Sequence, residues 1–236
     1  MKRRNRYLVA IPLIALLIVL ATVSIRWGLA SLDLWRAAEI LEQLEQSSLA
    51  LESKEALLLR GFKHVSNAQA MGGGHADAFN RQGRLLYWQA MNLAEDWGQR
   101  NQLLDQAAEQ YREALKVRPG WPYFWANLAV AKAERGIFDG EFRKAIRRTV
   151  ETGPWEPRVQ LQLIQVDFIE QQRLDRRSRQ YIEQMLGNAL QTQPLKVFDL
   201  ASDLEQLARL CTMNEASVLA SQCRTAGYAL PVSSPS

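Results

Sequence analysis

Polar and apolar positions alternate in three different ways along this chain, and each predicts helix. From Tyr7 to Ile25 the 19 residues YLVAIPLIALLIVLATVSI carry no charge. At about 1.5 Å per residue they span roughly 28 Å, the length of a membrane-crossing helix. Pro12 lies near the start of that stretch, where a membrane helix accommodates it. Beyond it, Leu34, Ala37, Leu41, Leu44, Ser48 and Leu51 recur three and four residues apart, with Glu39, Glu42, Glu45 and Glu52 off the stripe. The spacing predicts an amphipathic helix that packs on the next one, about Ser53 to Met71, through Leu57, Leu58, Phe62 and Val65. A weak homo-oligomer through the same seam is the competing use. Gly72, Gly73 and Gly74 then break the pattern as a joint. No G-K-[ST] follows and no apolar strand precedes, so the glycines do not form a phosphate loop.

From Ala76 to about Gln193 the pattern is helix, short turn, helix, and it repeats. ALKVRP, TVETGP and ALQTQP end at Pro119, Pro154 and Pro194, 35 and 40 residues apart. Such a period marks helical hairpins that bury their apolar faces by stacking on one another. The expected class is all-α: one N-terminal transmembrane helix and then a helical-hairpin solenoid. The divisions are a basic flank (1–6), the span (7–25), a membrane-proximal helical pair (26–71), the glycine joint (72–75), the repeats (76–194), a C-terminal helical hairpin (195–226) and a flexible tail (227–236).

Charge orients the chain. Lys2, Arg3, Arg4 and Arg6 precede the span without an acid, whereas Arg26 and Arg36 on the other flank share it with Asp33. The positive-inside rule keeps the N-terminus cytoplasmic and sends the domain outward, into the periplasm of a Gram-negative cell. A cleaved signal peptide is the alternative, but its apolar core runs only about 7 to 15 residues. The nearest small pair, Gly28 and Ala30, lies beyond Arg26 and Trp27. Retention as an inner-membrane, single-pass anchor is therefore expected. The pI of about 9.2 suggests nucleic acid at first sight. Without the four flank residues, however, the 29 basic residues fall to 25 and match the 25 acids. The expected partners are proteins, with no nucleic acid.

Candidate chemistry is sparse. His64 and His75 are the only histidines, and neither has a carboxylate or thiol at ligand spacing. His64 is expected to face solvent. The acids Glu95 with Asp96 and Glu134 with Asp139 are expected to be solvated, as are the basic clusters Arg143, Lys144, Arg147, Arg148 and Arg173, Arg176, Arg177, Arg179. With no nucleophile elbow, zincin, Walker or dinucleotide motif, no catalytic residue, metal ligand or cofactor is assigned. Cys211 and Cys223 both fall on apolar faces, Cys211 with Val197, Leu200, Leu204 and Leu207, and Cys223 with Met213, Ala216 and Ala220. A disulfide and two buried thiols both remain open. A continuous helix from residue 214 would carry Cys223 some 13 Å from its start, whereas bridged Cα atoms lie within about 7 Å, so a bridge requires that helix to be short or folded back.

Ala107, Tyr111, Ala114 and Pro119 follow A-x3-F-x2-A-x4-P, the second-helix pattern of the tetratricopeptide repeat, and Trp125, Leu128 and Ala129 resemble first-helix positions of the next unit. The third unit keeps Leu186, Ala189 and Pro194. The resemblance covers roughly residues 79 to 194 and implies a concave peptide-binding groove. Aligned on the prolines, it assigns the groove to Tyr123, Asn127, Val130, Arg158, Gln162 and Gln165. Asn127 with Arg158 is similar to half of a carboxylate clamp; the other half is missing, since Asn92 and Asp96 stand where the first unit would need Lys and Asn. Trp121, Trp125 and Trp155 are expected to pack between repeats. RPGWPYFWANLAVAKAERG (Arg118 to Gly136), echoed by GPWEPRVQLQL from Gly153, behind a basic-flanked anchor, resembles the VpsP family of bacterial exopolysaccharide loci. That resemblance implies a non-enzymatic accessory role in polysaccharide biosynthesis or export, with envelope or exopolysaccharide machinery as partner. A general periplasmic chaperone-type adaptor for secretion or cytochrome maturation and a glycan-acting enzyme on a helical solenoid are the alternatives.

Overall fold

The computed structural model describes residues 2–46, 50–72 and 76–228, and these are helical without a strand. α1 (Lys2–Gln46) is one unbroken helix, so the apolar stretch and the amphipathic stretch after it are a single rod. No helix breaker follows Pro12, and Gly28 alone does not end a helix. Among the described residues α1 is long and apolar enough to cross a membrane, and its side chains from Ile11 through Leu29 are exposed. From Ala30 onward one stripe turns inward: Ala30, Leu34, Ala37, Leu41 and Leu44 are buried against Leu57, Leu58, Val65 and Ala68 of α2 (Leu51–Gly72). The seam is thus used within the chain. It stops at Leu44, because Leu51 points outward; Ser48 lies outside the described residues, as do His75 and most of the glycine joint.

Two polar contacts pin this pair. The Arg26 Nε donates to the Met71 carbonyl at 3.0 Å, neutralising the carbonyl end of α2. His64 is not turned to solvent: its Nδ1 lies 2.7 Å from Asp33 Oδ1. That partner is 31 residues away, beyond any local spacing rule.

The following helices pair as α3 (Ala76–Asn92) with α4 (Trp97–Val117), α5 (Pro122–Glu134) with α6 (Gly140–Thr152), and α7 (Pro157–Glu170) with α8 (Arg176–Thr192). A 3-10 turn (Gln171–Arg173) precedes α8, and α9 (Pro194–Asp203) follows it. Start signals alternate. Each second helix opens on an aspartate whose side chain accepts a backbone N–H, namely Asp96, Asp139 and Asp175. Proline occupies the first turn of α5, α7 and α9.

The turns between units share one geometry. The N–H of Arg118, Gly153 and Gln193 donates to Ala114, Thr149 and Ala189. Trp125 Nε1 donates to the Pro119 carbonyl at 2.8 Å, and Gln160 Nε2 donates to Pro154 at 3.0 Å. The core positions also recur, with Ala107, Tyr111 and Ala114 matched by Phe142, Ile146 and Thr149 and by Ile182, Leu186 and Ala189, all buried. First helices pack on first helices, α3 on α5 and α5 on α7, while α6 packs on α8.

The C-terminal residues form a separate core, in which Val197, Leu210 and Leu219 lie against Ile164, Phe168 and Leu190. In place of a simple helical hairpin there are α10 (Leu207–Cys211), a 3-10 turn (Asn214–Leu219) and α11 (Ala220–Thr225). The short, reversed path brings the two cysteines to a Cα separation of 5.7 Å, and Cys211 and Cys223 form a disulfide.

Candidate binding groove

Because first helices stack side by side, one face of each contributes to a shared concave surface. The positions it shows are four and seven residues apart: Asn80, Arg84 and Tyr87 from α3; Tyr123, Asn127 and Val130 from α5; Arg158, Gln162 and Gln165 from α7. At this spacing three side chains share one helix face. Together they line a cleft of about 520 Å³ floored by Tyr111, a volume in the usual range for ligand sites. All six groove positions assigned from the sequence are on this surface.

The α3 row is the one that the proline spacing does not reveal. Shifting the α5 row back by 35 residues lands on Trp88, Asn92 and Glu95, whereas the residue that faces Asn127, Asn80, comes from earlier in α3. The causes are the lengths of α4, 21 residues against 13 in α6, and of α3 itself, 17 against 13 in α5, which together move the row about three turns further from its proline. Asn92 still borders the cleft, while Asp96 is occupied as the cap of α4. The i, i+4, i+7 pattern of Asn80, Arg84 and Tyr87 was the available signal.

A ladder of amides crosses the floor. Gln162 Nε2 donates to Asn127 Oδ1, and Asn127 Nδ2 donates to Asn80 Oδ1 at 2.7 Å, joining α7, α5 and α3. Gln162 Oε1 is buried and, among the described residues, accepts no hydrogen bond. An orphaned buried acceptor costs roughly 1–3 kcal/mol. Burial, then the Glu134 charge, pushes the Tyr87 pKa up. At the other end Glu45 of α1 pairs with Arg84 and lies 3.5 Å from Arg158. The Tyr123 hydroxyl donates to Glu156 at 2.8 Å, and burial followed by that bond raises its pKa.

The remaining candidates fall elsewhere. Trp125 is packed away, but Trp121 at the cleft's rim is 43% exposed and Trp155 is 59% exposed, so two of the three tryptophans do not fill inter-repeat space. Glu134 is not solvated: its carboxylate meets Arg100 at 2.6 Å, and burial raises its pKa. Asp139 caps α6 and holds the buried Lys132 at 2.9 Å, while Glu95 is exposed. Glu141, also paired with Lys132, has its pKa lowered to about 2, chiefly by its hydrogen bond from Arg112. Of the basic clusters, Arg147 and Arg148 pair with Glu151, Lys144 sits over Trp125, and Arg173 lies over Phe138. Among the described residues no three His, Cys, Asp or Glu side chains converge as a metal site would require. Comparison with protein-family models, curated proteins and solved structures finds no match to this chain.

Proposed function

We propose that this chain is a membrane-anchored, non-catalytic adaptor whose groove holds an extended segment of a partner protein. The observation that carries the reading is the convergence of three i, i+4, i+7 rows on one cleft crossed by a ladder of amide side chains. An extended peptide supplies backbone N–H groups at regular intervals, and amide side chains on stacked helices suit it. In this reading α3 to α8 form a tetratricopeptide-like stack, supported by the recurring turn bonds and buried triplets. α1 crosses the inner membrane with its basic flank inside, which puts the groove in the periplasm. A role beside exopolysaccharide machinery rests on the resemblance of the Trp-Pro segment and layout to the VpsP family.

Full-length chain carrying Tyr123→Ala or Arg158→Glu should fail to recover the partner that the unaltered chain recovers from solubilised membranes. Equal recovery by both variants refutes the groove. A reporter active only outside the cytoplasm, fused after Ser236, should be active, and its silence refutes the orientation. A second reading has one observation in its favour, since Trp121 lies beside Tyr123 with ring centroids 6.0 Å apart at the rim and could stack a sugar ring. Loss of oligosaccharide binding with Trp121→Ala while protein recovery persists would select that reading.

A further inference from the structure

The turns between repeats carry some of the exposed apolar groups that the core does not use. Trp121 and Trp155 are 43% and 59% exposed, and Leu195, at the start of α9 just past the third turn, is 56% exposed. Exposed cations accompany them, Arg118 stacked 4.9 Å from the Trp121 ring and Lys196 next to Leu195. Tryptophan and basic residues together are the side chains that settle at the headgroup level of a bilayer.

A chain of contacts ties these turns to the end of the apolar span. Arg26, the first charged residue after Ile25, bonds to Met71, which puts the last turn of α2 beside the end of the apolar stretch. α3 starts at Ala76, four residues beyond Gly72 and so within about 14 Å of it. Arg118 meets Asp77 in the first turn of α3 at 3.1 Å, fixing the first inter-repeat turn there. The second turn lies directly on the first: a Cβ at Gly153 would come within 2.5 Å of Pro122. The third is held to the second by Gln193 Nε2, which donates to the Pro157 carbonyl at 2.7 Å.

From this we infer that the edge bearing Trp121, Trp155 and Leu195 rests on the surface of the bilayer from which α1 emerges. The inference rests on α1 being a membrane span. It sets this edge of the domain against the membrane, with Trp121 shared between the edge and the groove. Trp97 is the internal control. It is 74% exposed and also has an arginine, Arg100, over its ring, but it begins α4 while the first turn ends it, about 30 Å away along the helix.

The test uses the full chain in nanodiscs of zwitterionic and anionic phospholipid, with single cysteines at Trp155→Cys, Leu195→Cys or Trp97→Cys carrying an environment-sensitive fluorophore. The native cysteines are bridged and do not compete for label. Lipids bearing a spin-label quencher near the headgroup should quench residues 155 and 195 strongly and leave residue 97 nearly unchanged. Comigration with the discs but equal brightness at all three positions overturns the edge proposal and leaves the anchor standing. Failure to comigrate overturns the anchor and this inference with it.

Discussion

Gly83 and Gly187 are both interior to helices, yet adding one methyl group to each should have opposite effects. A Cβ at Gly83 would lie 2.6, 2.9 and 3.0 Å from three ring atoms of Tyr111. That ring is among the largest fully buried side chains, and it cannot withdraw without disturbing the α3–α4 contact. At Gly187 in α8 nothing lies within 4 Å. Alanine gains about 0.5–1 kcal/mol over glycine in a helix interior at either position. Overpacking a filled core costs about 1–3 kcal/mol. The propensity gain cancels in the comparison, so Gly83→Ala should be about 2 kcal/mol less stable than Gly187→Ala. Gly187→Ala should exceed the unaltered chain, and Gly83→Ala should fall below it. Urea unfolding of the full chain in detergent, followed by tryptophan fluorescence, reads both. Adding Tyr111→Leu should recover part of the Gly83→Ala loss if the ring causes it. Stabilisation of similar size in both variants would refute the close helix approach at Gly83 on which the groove floor depends.

Reducing the Cys211–Cys223 bridge, whose cysteines are 12 positions apart, should cost about 3 kcal/mol by loop entropy. Hydrogen exchange should place that loss in residues 194–228, with α3 to α6 unchanged. Glu141 is held at about 2, below its ordinary 4.5. A depressed carboxyl contributes stability above its unfolded value and loses it as pH falls through the folded value. Stability should therefore decline from about pH 4.5 toward 2, and Glu141→Gln should flatten that slope when unfolding is measured across the window. Asp175→Ala, which removes the side chain bonded to Arg177 and Ser178 N–H, should cost about 1 kcal/mol in the same urea assay.

The legible parts of this structure are those written in local spacing. Val130 and Gln165 could be assigned to one surface because a 35-residue offset carries one hairpin onto the next and α6 has the length that this offset implies. Asn80, Arg84 and Tyr87 escaped because α4 is eight residues longer than α6 and α3 four longer than α5, and a count from the proline absorbs both differences silently. Contacts distant in sequence were out of reach for a related reason: nothing near His64 announces Asp33, and nothing near Glu134 announces Arg100. Trp121 and Trp155 show the limit of composition, because the residue type that fills inter-helix gaps also stands exposed on a surface. The cysteine pair was undecided in sequence, where apolar periodicity cannot distinguish a long helix from a 3-10 turn followed by a short one.

The groove is tested most directly by placing a photoreactive amino acid at Gln162 in the full chain expressed in its own cells, with a matched substitution at Glu95 on a surface away from the cleft. Irradiation should give a discrete protein adduct from position 162 that disappears in the Arg158→Glu background and is absent from position 95. Adducts of equal yield from both positions, or none from position 162 when the chain is intact and membrane-bound, would contradict a peptide held in this groove.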